Sequence, residues 1–309
     1  MNRSERTGAA SAAGGTVRVA SATAVPAFRC AAVIGTGLIG GSIAAALRAR
    51  GLAATIRGCA PGGDAVRARE LGLVDTVCGD AAEAVDGADL IVLAAPIPAM
   101  PALFSAIRDR VGDDALVVDC ASTKQSTIAA AADVGGRAFA CFVPSHPIAG
   151  GERHGPDAAR AELFEGRVAI VCPVAGTDPA LVDRARALWA ALGAHVVEMD
   201  AAAHDAVFAE VSHWPHAVAF ALCGAIAAGP NAEPAIRFAG AGLRDTTRIG
   251  ASSPSLWADI LLDNRDAVLG CADAFERELR TVTEALRAGD RAMLVERFEA
   301  ASRWRGRLG

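Results

Sequence analysis

His146 stands in the segment SHPIAGGE (145–152), at the end of an apolar run and directly before a proline. Imidazole titrates near working pH, so a histidine in such a loop is a candidate proton acceptor; the alternative is a hydrogen-bonded loop histidine. Ser122, in VDCASTK (118–124), is placed either to cap the next helix or to serve a site, and Lys124 reads as an exposed helix residue. Ser212-His213-Trp214-Pro215-His216 puts two histidines three apart on one helical face. Neither HExxH nor a cysteine set accompanies them, so zinc is not supported and no metal is expected. A hydrogen-bonded core histidine is the other reading there, and for His204 as well. Arg244, Asp245, Thr246, Thr247 and Arg248 form a polar knot in apolar surroundings. Arginine suits bidentate carboxylate binding, and ion pairs with Asp245 or Asp259 are the structural alternative.

A second constellation is VIGTGLIGGSIAAAL (33–47). It reads as a buried strand, a glycine turn and the start of a helix. Gly35 allows a sharp turn, Gly37 lets backbone approach a pyrophosphate, and Gly40 lets the helix pack on the sheet. The helix N-terminus supplies unpaired N–H groups that suit phosphate, and Leu38 and Ile39 in the turn are expected to lie against the cofactor with Gly35, Gly37 and Gly40. A dinucleotide is the expected ligand. The residue that ends the second strand meets the adenosine ribose in such folds, and an acid there selects NAD. Here the chain reads Cys59-Ala60-Pro61. The missing acid slightly favours NADP over NAD, with Arg57 and Arg67 nearby. The turn at Ala95-Pro96, after an apolar strand, should skirt the cofactor.

These residues need a scaffold, and 309 residues suffice for two cored domains. A net charge of −5 without a basic stripe argues against a nucleic-acid partner. Apolar runs are broken before about 18 residues, so no membrane span is implied. The eight cysteines form no CxxC pair, which suits a reduced, cytoplasmic setting. Residues 1–27 lack periodicity and read as a disordered leader, with a faint transit-peptide bias in Arg3, Arg6 and the serines.

Strands are expected at 28–34, 54–59, 88–95, 115–120, 138–143, 168–172 and 195–199, alternating with helices at 40–50, 65–71, 101–110 and 178–192. The class is α/β: a Rossmann-type doubly wound sheet over 28–199, then an all-α domain over 200–309. In the second domain one long apolar helix, 202–228, should kink at Pro215, with further helices at 256–269, 271–288 and 291–304. A helix apolar on several faces must be buried in a core or a subunit interface.

Taken together, GTGLIGGS (35–42), VDCASTK (118–124), SHPIAGGE (145–152), HDAVFAEVSHWPH (204–216) and GLRDTTRIGASSPSLW (242–257) resemble the prephenate/arogenate dehydrogenase family of tyrosine biosynthesis. The resemblance implies a homodimer joined through the C-terminal helices. It implies oxidative decarboxylation of prephenate or arogenate, with hydride transfer to NAD or NADP. By position His146 resembles the catalytic histidine, and Ser122 would hold the same ring hydroxyl or orient His146. Arg248 would bind a substrate carboxylate, His216 and Ser212 would line the pocket, Glu152 would gate it, and Trp257 would pack near the substrate.

The chain departs from some members: nothing after Trp304 is long enough for a regulatory amino-acid-binding domain, so tyrosine feedback through one is not expected. Two other readings are a dehydrogenase of 4-amino-4-deoxyprephenate and a non-catalytic dinucleotide sensor. A 3-hydroxy acid dehydrogenase would need a lysine on the long helix, and none lies between Ala201 and Ala228.

Overall fold

The structure, a computed structural model, describes residues 27–151 and 153–308. The expected leader, apart from Ala27, and Glu152 lie outside the described residues. Those residues form two compact units: the chain through Val207 with Ser252–Asp263, and Phe208–Ala251 with the chain from Asn264 onward.

In the first unit β1 (Phe28–Ile34), β2 (Ala53–Cys59), β3 (Thr76–Val77), β4 (Leu90–Leu93), β5 (Leu116–Asp119) and β6 (Phe142–Val143) make one sheet in the order β3-β2-β1-β4-β5-β6. Every pairing in it is parallel. Parallel strands are covered on both faces, which is why they read as unbroken apolar runs. Alternate side chains enter separate cores. Ala31 and Val33 of β1 and Leu90 and Val92 of β4 pack beneath α1 (Leu38–Ala49) and, later in the chain, the helix containing Trp189. Ala32, Ile34, Ile91 and Leu93 face the other way. There they meet α3 (Ala81–Val85) and α4 (Met100–Ile107), beyond α2 (Asp64–Glu70) in sequence.

Past β5 come α5 (Gln125–Val134) and α6 (Gly136–Ala140). The strand expected over 138–143 is therefore mostly helix, and only Phe142–Val143 pairs. Pro144 ends it, having no N–H to extend the ladder. The chain then changes partners. β7 (Ser145–Pro147), β8 (Val168–Val171) and β9 (His195–Glu198) form a separate sheet, β7 antiparallel to β8 and β8 parallel to β9. The runs expected to extend the doubly wound sheet build this one instead. The helix between β8 and β9, α7 (Pro179–Ala191), starts at an Asp178 cap bonded to the Ala180 amide.

The long apolar helix is broken into α8 (Ala201–Phe208), a π-helical turn at Ala209–His213 and α9 (Trp214–Ala227). Within the wide turn the Trp214 amide bonds the Ala209 carbonyl, five residues back. Pro215 brings no amide to the next turn, so the irregularity falls where the regular ladder is already interrupted. Next come α10 (Ala232–Phe238), α11 (Ala241–Thr247) and α12 (Pro254–Asp263), whose Ile260 is buried in the core of the first unit. Asn264 separates α12 from α13 (Arg265–Ala288), so the helix expected over 256–269 is two. α14 (Arg291–Arg305) is last. No single helix among the described residues is long and apolar enough to cross a membrane.

Candidate active site

The glycine turn joins β1 to α1. Gly35 has φ +91°, and a Cβ there would sit 2.3 Å from the Ala94 carbonyl oxygen. A Cβ on Gly40 would sit 1.9 Å from the Gly35 oxygen. Packing within the protein thus requires both glycines. Gly37 differs: it is the extended N-cap of α1, and a Cβ there would meet nothing within 4 Å. The site fits a dinucleotide on these grounds. Gly37 and the first-turn amides of Leu38, Ile39 and Gly40 form an anion cradle at a helix N-terminus. It lies where the sheet order reverses between β1 and β4, next to Ala95 and Pro96.

At the end of β2, Ala60 is half-buried. The two arginines considered for a 2′-phosphate are committed elsewhere. Arg57 donates to the Asp86 carbonyl at 2.6 Å, and Arg67 to Asp157 at 2.6 Å and Glu70 at 3.0 Å. Burial raises the Cys59 thiol, and Cys78 and the carboxylates of Asp80 and Glu83 raise it further. Negative charge therefore reaches the end of β2 from the start of α3.

His146 is buried, and lies within β7 rather than in the loop expected for it. Two buried arms hold it. In the first, Asp119 at the end of β5 accepts from the Ser145 amide at 2.7 Å and pairs with the Lys124 ammonium. Lys124 Nζ also donates to the Ser145 carbonyl at 2.7 Å. Both backbone polar groups of the residue before His146 are thus fixed by one ion pair. Lys124, expected to be exposed, is fully buried because Asp119 neutralises it there.

The second arm runs through side chains. His146 Nδ1 lies 2.9 Å from His204 Nε2, and His204 Nδ1 lies 2.8 Å from Asp205 Oδ1. Asp205 also accepts from the Lys124 amide at 2.8 Å and the Gln125 amide at 2.9 Å. It therefore caps α5, the role one reading gave to Ser122. Ser122 is half-buried, in the turn between β5 and α5. Burial pushes the His204 imidazole below its ordinary value, against the pull of Asp205. Burial would raise the Asp205 carboxyl, but His204 and the two amides hold it below the usual range. Trp257, on α12, packs partly buried against the core of this unit.

The second unit holds the remaining site candidates. His216 Nδ1 lies 2.8 Å from the Ser212 carbonyl, so that nitrogen carries the proton. Burial lowers the His216 imidazole and the nearby Arg248 charge lowers it further, although the Ser212 carbonyl opposes both. Arg248, exposed, opens the short 3₁₀ turn Arg248–Ala251. That turn packs closely on α9: a Cβ on Gly250 would lie 3.1 Å from Cys223 Sγ. His213 Nδ1 accepts from Asn264 at 3.1 Å. In the polar knot Thr246 and Thr247 bond back to the carbonyls of Gly242 and Leu243. Among the described residues no group of three or more His, Cys, Asp or Glu could hold a metal ion.

Sequence reasoning missed the framework residues Asp119, Lys124 and Asp205 and left His204 as a core histidine. The available signal was charge in apolar company: VVDC inside a strand, and an adjacent His-Asp pair on an apolar helix.

Comparison with known proteins agrees with this layout. The family model for the prephenate dehydrogenase nucleotide-binding domain matches residues 43–198, and that for its dimerization domain matches 200–300. The chain is 36% identical over 282 residues to a cyclohexadienyl dehydrogenase of Zymomonas mobilis, covering 90% of this chain and 95% of that one. It is 34% identical to a prephenate dehydrogenase of Bacillus subtilis, over 89% of this chain and 74% of that one. The crystal structure of prephenate dehydrogenase from Aquifex aeolicus, in complex with hydroxyphenyl propionate and NAD+, superposes with a TM-score of 0.84 at 30% identity, over 91% of this chain and 98% of that one. By fold, by sequence and by its nicotinamide-dinucleotide domain, this chain belongs to the prephenate dehydrogenase family of oxidoreductases.

Proposed function

We propose that the chain oxidatively decarboxylates prephenate or arogenate, reducing NAD+ or NADP+. The observation that supports this most is the framing of His146 by two buried arms that meet at Lys124, beside the carboxyl end of β5. A histidine held this firmly suits proton transfer, where misplacement by an ångström is costly. A dinucleotide held at Gly37 and the first-turn amides of α1 would supply the hydride acceptor for the ring carbon that bears the hydroxyl. His146 takes the hydroxyl proton as that C–H bond breaks. The C–CO2 bond then breaks, its electron pair completes the aromatic ring, and the proton on His146 is available to the phenolate oxygen. Ser122 hydrogen-bonds the same hydroxyl or orients His146. Arg248 binds a substrate carboxylate, Ser212, His216 and Trp257 line the pocket, and Glu152 gates it.

On the cofactor, the absence of an acid at Ala60 favours NADP+. The commitment of Arg57 and Arg67, and the carboxylates near Cys59, favour NAD+. We infer weak discrimination between the two. The similarity to a cyclohexadienyl dehydrogenase supports acceptance of either ring substrate. A homodimer through the second unit is supported by its match to a dimerization domain and by exposed Ile236 and Phe238, 71% and 76% accessible in the single chain. Initial rates with prephenate and arogenate, each with NAD+ and NADP+, test the reading at 340 nm. Silence in all four from folded, dinucleotide-binding protein would overturn it.

A further inference from the structure

We propose that His204 and Asp205 are positioning residues that set which nitrogen of His146 carries the proton, leaving His146 Nε2 as the base. The inference rests on the reading of His146 as the proton acceptor. It follows from hydrogen-bond bookkeeping along one buried chain. Asp205 also receives the amides of Lys124 and Gln125, so its carboxylate acts only as an acceptor. His204 must therefore place a proton on Nδ1, the nitrogen 2.8 Å from Asp205. A neutral His204 then has a lone pair on Nε2, 2.9 Å from His146 Nδ1. His146 must donate from Nδ1, and its own lone pair is on Nε2. The neutral state of His204 agrees with its burial and with the nearby Lys124 charge, both of which lower its proton affinity. The amides that Asp205 receives, 80 and 81 residues away along the chain, anchor the relay to the start of α5 rather than leave it to side-chain rotamers.

Two variants separate positioning from packing. In His204→Gln the amide oxygen can still accept from His146 Nδ1; in His204→Leu nothing can. For His204→Leu, kcat should fall roughly 100-fold, the lower end of what a general base contributes, with KM for the substrate changed less than about threefold. His204→Gln should stay within about tenfold of the parent kcat. Thermal melting and NAD+ titration verify folding. Long-range ¹H–¹⁵N spectra of protein labelled at its six histidines read the tautomer without turnover. They should show His146 protonated at Nδ1 in the parent and in His204→Gln. Asp205→Asn, which can present an amide N–H to His204, should move that proton to Nε2. His146 protonated on Nε2 in the parent overturns the relay, as does equal kcat for the Leu and Gln variants. His146→Asn separates the two ideas. If it retains turnover, the reading of His146 as base falls. If it is inactive while the relay variants behave like the parent, only the relay falls.

Discussion

The ammonium of Lys124 is buried against the Asp119 carboxylate and reaches past it to the carbonyl of Ser145, 2.7 Å away. The pair joins the end of one sheet to the first strand of the other, one residue from His146. Removing one member of a buried pair leaves the other charge uncompensated, at a cost of about 3–5 kcal/mol. Lys124→Met should lose stability of that order in urea unfolding. A loss under about 1 kcal/mol would mean that Asp119 needs no counter-charge.

The glycine turn separates folding from binding. Gly40→Ala must displace backbone at 1.9 Å and should lower the melting temperature sharply or abolish soluble expression. Gly37→Ala has room and an ordinary backbone angle, φ −69°, so its melting temperature should move by no more than a few degrees. Its methyl group would occupy the cradle, and NAD+ affinity should fall about tenfold or more, some 1.4 kcal/mol. Unchanged affinity in Gly37→Ala would remove that turn from the cofactor site.

Acid should destabilise the fold in two steps. Burial, above all, holds His204 and His216 below the ordinary imidazole value, against Asp205 and Asp119 and with Lys124 at the first, and against the Ser212 carbonyl and with Arg248 at the second. Below about pH 6.5 the unfolded chain binds protons that the folded chain refuses, so stability falls as pH drops through that window. Asp75, Asp89 and Asp205 are shifted downward despite burial, by Arg48, by backbone amides and by His204. Their contribution is present above about pH 4 and lost below it. Calorimetry from pH 8 to pH 3 should show both declines. His204→Gln combined with His216→Asn should flatten the upper one, and a melting temperature already flat in the parent between pH 7 and pH 5 would contradict the assignment.

Arg248 is proposed to hold a carboxylate. Arg248→Gln should raise KM for the substrate by roughly 100-fold, about 2.7 kcal/mol, and leave the NAD+ dissociation constant unchanged. Lys at this position should recover only part of the loss, because an ammonium lacks the bidentate fork. Steady-state kinetics with a parallel NAD+ titration separate the effects; an unchanged KM would exclude the contact.

The local pattern of the sequence determined a good part of this protein. Apolar runs such as LIVL and LVVD read as strands buried on both faces, and GTGLIGG reads as a tight strand-to-helix turn, because Gly35 carries a positive φ and Gly40 meets the Gly35 carbonyl five residues back. His146, Ser122, Arg248 and His216 stood out because their types and neighbours signal chemistry. Tertiary structure alone decided what holds His146. Lys124 reads as a surface residue until Asp119 is placed beside it, and Ser122 reads as a cap until Asp205, 80 residues beyond Gln125, takes that place. The second sheet was equally hidden, since apolar runs at β8 and β9 look alike whichever sheet they join. Helix and strand periods arise from contacts within a few residues. Burial of charge and choice of partner depend on groups brought together by the whole fold, and no window of sequence contains them.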